Sequence, residues 1–265
     1  MLRFPAALTA LLVTALPAAA SSSAWIQTEG GTVRLVTSGL ADDKGKLRGA
    51  LEIKLEAGWK TYWRDPGGSG VPPQINLSEA SDAADARLLF PAPERMSDAY
   101  ASWAGYKNSV TIPVLFSFPE ARAAGIIEGS LFLGICETIC IPVEAPFSFD
   151  AGADPDNPQD AVVVQSAFAA LPEAARAGFR VSEVRREGAS LRIAVELPGQ
   201  AGEPELFLAP PENLQVGMPE LKEREGREAV FTAEILGGSA AKGEAKLDYT
   251  LVLGKQAADG QIALP

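Results

Sequence analysis

Apolar and polar residues alternate along most of this chain, which is the pattern of β-strands that bury one face. In the first half the alternation covers residues 32–37, 47–56, 110–118 and 126–135. In the second half it returns over residues 179–184, 191–197, 205–208, 229–235 and 246–253. Glycines and prolines, 25 and 20 in number, separate these short runs. The pattern therefore predicts an all-β protein with a first β-sandwich and a second, smaller one.

A polar, proline-rich segment at residues 151–158 is the best candidate for a domain boundary. Asn157 as N-cap and Pro158 at the first helical position predict a short helix that reaches about Ala170 and is ended by Pro172. A second helical turn is expected to end at Gly178. The charged run 222–228 predicts a solvated hairpin or loop. The expected units are a signal peptide 1–20, a first sandwich 21–150, a linker with a short helix 151–178 and a second sandwich 179–265.

The first twenty residues have the features of a secretory signal peptide. A short basic opening ends at Arg3, an apolar run covers residues 4–16, and small residues lead to a cleavage position after Ala20. The apolar run is too short to span a bilayer, although an uncleaved N-terminal anchor is the alternative. Export would place the cysteines in an oxidising compartment.

Cys136 and Cys140 are the only cysteines, and the chain has no histidine. Two thiols with three residues between them are suited to exchange between a dithiol and a disulfide. As a staple, a bridge across so short a loop would contribute only about 2 kcal/mol. A static local bridge and a site for Cu(I) are the alternatives, whereas a closed zinc site needs about four ligands. Glu137 and Glu144 lie in this segment without a nearby Lys or Arg, so reaction is expected to depend on a docked partner.

Several classes of function are excluded by composition. The absence of histidine excludes a Ser-His-Asp triad and papain-like chemistry. Residues 64–73 form a turn-rich loop without the GK[ST] ending of a phosphate-binding loop, so no nucleotide is expected. The formal net charge of −11 argues against nucleic acid as a partner. No cofactor and no resident metal are expected.

Two motifs carry a resemblance to a known family. One is Cys136-Glu-Thr-Ile-Cys140-Ile-Pro-Val-Glu-Ala, and the other is Gly-Trp-Lys-Thr-Tyr-Trp-Arg-Asp-Pro-Gly-Gly-Ser-Gly at residues 58–70. Over residues 30–150 the chain resembles the N-terminal periplasmic domain of the thiol:disulfide interchange protein DsbD, in the longer variant of DsbD-like and ScsB-like (suppressor of copper sensitivity) proteins. The resemblance implies an immunoglobulin-like sandwich in the periplasm. It also implies a protein-disulfide reductase or oxidoreductase component.

The resemblance further implies partners and site residues. Electrons would come from a separate membrane-embedded donor and pass to periplasmic thioredoxin-like or other exported proteins. Cys140 resembles the cysteine that forms mixed disulfides, and Cys136 the one that resolves them. The family's capping position falls on Ala99, so Tyr100 or Trp103 would have to shield the sulfurs.

Tyr106 and Trp63 complete the expected cap or wall of the site, although Trp59 and Trp63, on one face of a strand, are also typical of a core. Cytochrome c biogenesis and copper tolerance are further roles that the resemblance suggests. Two alternatives therefore stay open beside disulfide exchange. One is a non-catalytic exported immunoglobulin-like binding module with a structural bridge, and the other is a copper-handling protein.

Overall fold

The computed structural model describes residues 21–68, 70–97, 102–119, 124–199, 202–238 and 245–265. The strands of the first half are β1 (Ile26–Thr28), β2 (Gly31–Thr37), β3 (Lys46–Leu55), β4 (Lys60–Tyr62), β5 (Gln74–Leu77), β6 (Asp85–Leu88), β7 (Glu94–Ser97), β8 (Ser102–Tyr106), β9 (Val110–Ser117), β10 (Ile126–Cys136) and β11 (Cys140–Asp150). Helix α1 (Pro158–Ala169) follows. The later strands are β12 (Glu173–Ala174), β13 (Arg180–Glu187), β14 (Ser190–Glu196), β15 (Pro204–Ala209), β16 (Leu214–Val216), β17 (Glu220–Glu225), β18 (Glu228–Gly238), β19 (Lys246–Leu253) and β20 (Gln256–Ala263).

The first sandwich consists of two antiparallel sheets. Their strand orders are β1-β2-β3-β9-β6 and β11-β10-β4-β8-β7, and β5 also pairs with β10. Alternate residues of each strand point between the sheets and form the first core, which includes the fully buried Leu35, Leu51, Phe116 and Leu133. The residues between Arg64 and Pro73 that the structure describes form the expected loop without strand pairing.

The second sandwich is built in the same way from shorter sheets. Its strand orders are β12-β20-β19-β15 and β13-β14-β18-β16, and β17 pairs with β18. Among its described strands, only the two-residue pairing of β12 with β20 is parallel. Ile193, Phe231 and Leu251 are examples of its buried core. The expected all-β class is confirmed. The charged run 222–228 forms the end of β17, the turn and the first residue of β18, which is the exposed hairpin that the sequence predicts.

Helix α1 begins where the sequence predicts. The side chain of Asn157 accepts hydrogen bonds from the backbone N–H groups of Gln159 and Asp160, which confirms the N-cap. Val164 and Ala167 pack on Val36 and Ala50, so the helix covers the outer face of the first sheet. Among the described residues, no helix combines the length and the apolar character needed to cross a bilayer.

The predicted helical turn before Gly178 is wrong. Glu173 and Ala174 instead pair with Ala258 and Asp259 as the short strand β12. Pro172 has no N–H to continue a helix, and the edge of β20 offers hydrogen bonds from a distant part of the chain. Tertiary pairing therefore decides the conformation of this segment.

The two sandwiches share an apolar contact. Phe207, on β15 of the second sandwich, is fully buried and belongs to the first core, with its ring centroid 6.0 Å from that of Trp63. Arg95 donates a hydrogen bond of 2.8 Å to the carbonyl oxygen of Pro219, and Arg64 donates one of 3.4 Å to the hydroxyl of Thr250. The second sandwich therefore packs against the sheet that contains β4 and β7.

Candidate disulfide exchange site

The two cysteines face each other at the tip of a hairpin. Cys136 is the last residue of β10, Cys140 is the first residue of β11, and the two form a register pair. Their Cα atoms are 4.1 Å apart, and a disulfide joins their sulfurs. This short distance is typical of a register pair that exchanges no backbone hydrogen bonds, because opposite Cα atoms come closest at such pairs of an antiparallel ladder. The hairpin therefore holds the two thiol groups within bonding distance.

The two cysteine residues differ in exposure to solvent. Cys136 is only 1% exposed and belongs to a small apolar cluster, whereas Cys140 is exposed. The three connecting residues, Glu137 to Ile139, are also exposed. A reagent from solution can therefore reach the bond from the side of Cys140.

Tyr62 places a hydroxyl group against the bond. Its hydroxyl oxygen lies 2.7 Å from Sγ of Cys140 and 3.1 Å from Sγ of Cys136. A disulfide sulfur carries no proton, so the tyrosine hydroxyl is the donor to the two sulfurs. The residue itself is 4% exposed, which keeps this hydroxyl in a defined position below the hairpin.

Two glycines make room for the ring of Tyr62. A Cβ atom added to Gly70 would lie 2.6 Å from Cε1 of the ring, and one added to Gly134 would lie 3.0 Å from Cε2. Gly70 also has a φ of 142°, a conformation that residues with a side chain rarely adopt. The loop after β4 and the strand β10 thus approach opposite edges of the ring closely because both residues are glycine.

Met96 and Trp103 complete the cluster around Cys136. They form a register pair on β7 and β8 and are 4% and 6% exposed. The ammonium group of Lys60 lies 4.6 Å from the centroid of the Trp103 ring. Lys60 is also the register partner of Cys136, so its side chain is on the same face of the sheet.

Lys60 adds a cation to the face of Cys136 that the local sequence does not show. Within residues 131–144 the charged side chains are the two glutamates, and these disfavour a thiolate. The pairing of β4 with β10 brings a lysine to the same face from a distant part of the chain.

The aromatic residues expected to wall the site separate into two groups. The structure places Trp103 beside Cys136. It places Trp63 and Tyr106 in the first core instead, outside the cluster of Cys136. The ring of Trp63 meets Phe207, and the hydroxyl of Tyr106 donates a 2.8 Å hydrogen bond to the carbonyl oxygen of Pro91. Strand alternation explains the separation, because successive side chains point to opposite faces.

Tyr106 has no free hydroxyl for chemistry at the sulfurs. Burial raises its pKa well above the ordinary value for tyrosine, although the charge of Arg64 opposes this shift. Ala99 and Tyr100 lie outside the residues that the structure describes. Of the two residues expected to shield the sulfurs, Trp103 is therefore the one whose position is described.

Sequence reasoning overlooked Tyr62 and Met96 as site residues. The signal for Tyr62 was present in the alternation of β4, because a residue next to a buried Trp63 points to the opposite face. Met96 lies 40 residues before Cys136 in the chain, and only the β7–β8 pairing and the sheet order bring it to the site. In the described part of the chain no group of three or more His, Cys, Asp or Glu side chains is placed to hold a metal ion.

Comparison with known proteins agrees with this geometry. Residues 34–151 match the family model described as thiol:disulfide interchange protein DsbD, N-terminal. A similar solved structure is that of the N-terminal periplasmic domain of ScsB from Proteus mirabilis, with a TM-score of 0.76 and 21% sequence identity. The match covers 93% of this chain and all of that chain, so the shared fold includes both sandwiches. The search of curated proteins gave no significant match.

The matched segment contains the residues that form the site. It runs from β2 to the end of β11 and therefore includes Tyr62, Met96, Trp103 and both cysteines. Its two antiparallel sheets confirm the expected immunoglobulin-like sandwich. Residues 34–151 thus match a DsbD-like N-terminal domain in sequence, and the sandwich that they form agrees with that match.

Proposed function

We propose that the chain is a thiol:disulfide exchange module that passes two electrons between partner proteins through Cys136 and Cys140. The observation that carries this proposal is the unequal exposure of one bond: Cys140 is open to solvent and Cys136 is buried. A bond of this kind has one sulfur for attack and one protected leaving group. The family match over residues 34–151 supports the same chemistry.

Reduction of the module follows from this asymmetry. A thiolate of a dithiol donor attacks Sγ of Cys140, the bond to Cys136 breaks, and Cys136 leaves as a thiolate that takes up a proton. The donor's second thiol then attacks the donor sulfur of the mixed disulfide and releases Cys140. The donor ends as a disulfide, and the module has gained two electrons and two protons.

Reoxidation uses the same residues in the opposite order. The thiolate of Cys140 attacks the disulfide of an acceptor protein and forms a mixed disulfide, while one acceptor sulfur leaves as a thiol. Cys136 then attacks Sγ of Cys140, which restores the bond and releases the reduced acceptor. Cys140 is therefore proposed as the residue that meets partners, and Cys136 as the resolving residue.

Tyr62 is placed to assist both directions. Its hydroxyl is within hydrogen-bond distance of both sulfurs, so it can donate to whichever sulfur carries negative charge during exchange. A hydrogen bond to a charged acceptor is about twice as strong as one between neutral groups. The tyrosine therefore stabilises the charged state more than the resting disulfide.

The partners and the compartment belong to the same proposal. The predicted signal peptide and the match to a family of interchange proteins support work outside the cytoplasm, in the periplasm. We propose a membrane-embedded protein as electron donor and thioredoxin-like exported proteins as acceptors. An oxidising compartment would otherwise keep the bond closed, so a dedicated donor is needed to reduce it.

Single-cysteine variants test the assignment of roles. Cys136→Ser leaves the exposed Cys140 free, and we expect it to form a mixed disulfide with thioredoxin-like proteins in a periplasmic extract. Cys140→Ser leaves the buried Cys136 and serves as the matched control, for which we expect little or no conjugate. Non-reducing electrophoresis and mass spectrometry identify the products. The roles are wrong if Cys140→Ser gives as much conjugate as Cys136→Ser, or if neither variant gives any.

A further inference from the structure

We infer that Ile139 is the recognition residue of the exchange site, and that it fits a partner protein whose reactive thiol lies beside an apolar groove. The inference rests on the proposed exchange function and concerns how a partner is selected. The tip of the hairpin offers three exposed connecting residues, Glu137, Thr138 and Ile139. Only the last of these has an apolar side chain.

Ile139 is one of five exposed large apolar residues in the described part of the chain. It is 70% exposed, as is Leu40, and three other large apolar residues of the described chain, Ile126, Val162 and Leu236, are between 39% and 63% exposed. A single exposed apolar residue is ordinary on a protein surface, so exposure alone indicates nothing. The position of Ile139 next to the reactive bond is what distinguishes it.

Covalent geometry places Ile139 inside any partner contact. Its Cα atom is about 3.8 Å from that of Cys140, because the residues are neighbours in the chain. In a mixed disulfide the partner's sulfur is about 2 Å from Sγ of Cys140. A protein bound through that sulfur therefore covers the adjacent residue, and an isoleucine covered by a polar surface would gain nothing from the contact.

The edge of the sheet restricts how a partner can approach. Strand β11 lies at the edge of its sheet, and its described pairing is with β10. The N–H of Gly134 donates to the carbonyl oxygen of Val71, away from β11, so the Gly134–Pro142 pair exchanges no hydrogen bonds. Pro142 therefore faces the free edge, as does Pro146 four residues on.

Two prolines on a free edge oppose pairing with an added strand, because neither has an N–H to donate. A partner is therefore expected to meet the tip of the hairpin through side chains. Ile139 is the apolar anchor available at that tip, next to Cys140. The exposed Glu137 and the net charge of −11 favour a partner whose groove has a neutral or basic rim.

The test compares a protein reductant with a small one. We expect Ile139→Ser to slow reduction of the disulfide by reduced thioredoxin by about tenfold or more, the loss that follows from no longer burying an isoleucine. Its reduction by dithiothreitol should stay within about twofold of the unmodified protein, because the bond itself is unchanged. Ile139→Val should restore most of the rate with thioredoxin.

Ile126→Ser is the matched control, since Ile126 is an exposed isoleucine at the opposite end of β10. It should leave both rates unchanged. Equal rates with thioredoxin for Ile139→Ser and the unmodified protein would overturn this inference while leaving the exchange function intact. A disulfide that resists both thioredoxin and dithiothreitol in the unmodified protein would instead contradict the exchange function itself.

Discussion

Replacing Tyr62 by phenylalanine removes one oxygen atom from the site and little else. The hydroxyl of Tyr62 is the donor at 2.7 Å from Cys140 and 3.1 Å from Cys136. The phenylalanine ring fills the same space between Gly70 and Gly134, so the cluster around Cys136 should keep its packing. The variant therefore tests the hydrogen bond without creating a cavity.

The size of the effect follows from the charge on the acceptor. A hydrogen bond to a neutral acceptor contributes about 0.5–1.5 kcal/mol, and one to a charged group contributes about 1.5–3 kcal/mol. During reduction the sulfur of Cys136 changes from a neutral disulfide sulfur to a leaving thiolate. The hydroxyl should then stabilise the transition state by about 1.4 kcal/mol more than the ground state, which is about tenfold in rate.

The assay is the rate of reduction by dithiothreitol, followed by acid quench and alkylation of the released thiols. Tyr62→Phe should react about tenfold more slowly than the unmodified protein. Tyr106→Phe is the matched control, because its buried hydroxyl bonds Pro91 and does not belong to the sulfur cluster. That variant should lose about 1 kcal/mol of stability and keep its rate. An unchanged rate for Tyr62→Phe, or equal slowing in both variants, would refute the reasoning.

Three further predictions concern packing and protonation. Gly70→Ala should lower both the stability and the exchange rate, because the new Cβ meets the Tyr62 ring at 2.6 Å. Gly188→Ala is the control: its φ is 62° and no atom lies near the new Cβ, so it should affect only the stability. Denaturation measures the stability, and dithiothreitol kinetics measure the exchange rate. Phe207→Ala should cost about 3–5 kcal/mol in denaturant unfolding and change the fluorescence of Trp63, whereas Phe231→Ala in the second core should destabilise without that signal. Burial raises the pKa of Asp259 above its ordinary value of 3.8, against the hydrogen bond from Thr250 and the charge of Arg64. The native state thus keeps a proton that the unfolded chain has lost, so the free energy of unfolding should fall as pH rises through the raised pKa. Asp259→Asn should flatten that fall in denaturation measured from about pH 3 to pH 7, and an unchanged slope would contradict the assignment.

The elements whose cause is local were predictable from the sequence. Alternation located β2, β3, β9 and β10 to within a few residues, and the N-cap at Asn157 located the start of the helix. The segment before Gly178 could not be predicted, because its conformation depends on pairing with β20. The contact of Phe207 with Trp63 was equally hidden, since both are buried aromatic residues whose partners no pattern specifies.

The site was predictable as far as its two sulfurs. The spacing of Cys136 and Cys140 indicated that the two thiols could exchange between a dithiol and a disulfide. The residues that surround it come from β4, β7 and β8, and only sheet order brings Tyr62, Met96 and Trp103 to one face. The sequence analysis expected Trp63 beside the sulfurs, whereas Tyr62 is the residue found there. The face of β4 that points to the hairpin decides between them, and a three-residue strand is too short for its pattern to reveal that face.

Whether the bond between Cys136 and Cys140 opens under biological conditions is measured most directly by its reduction potential. The intact protein is equilibrated in dithiothreitol or glutathione buffers, and the thiols are counted after alkylation. Structural disulfides of secreted proteins have potentials below about −300 mV. We expect a value clearly above that limit, since Cys140 is exposed and the hydroxyl of Tyr62 can donate to a charged sulfur. A bond that stays closed in buffers below about −300 mV would show that it is a structural staple.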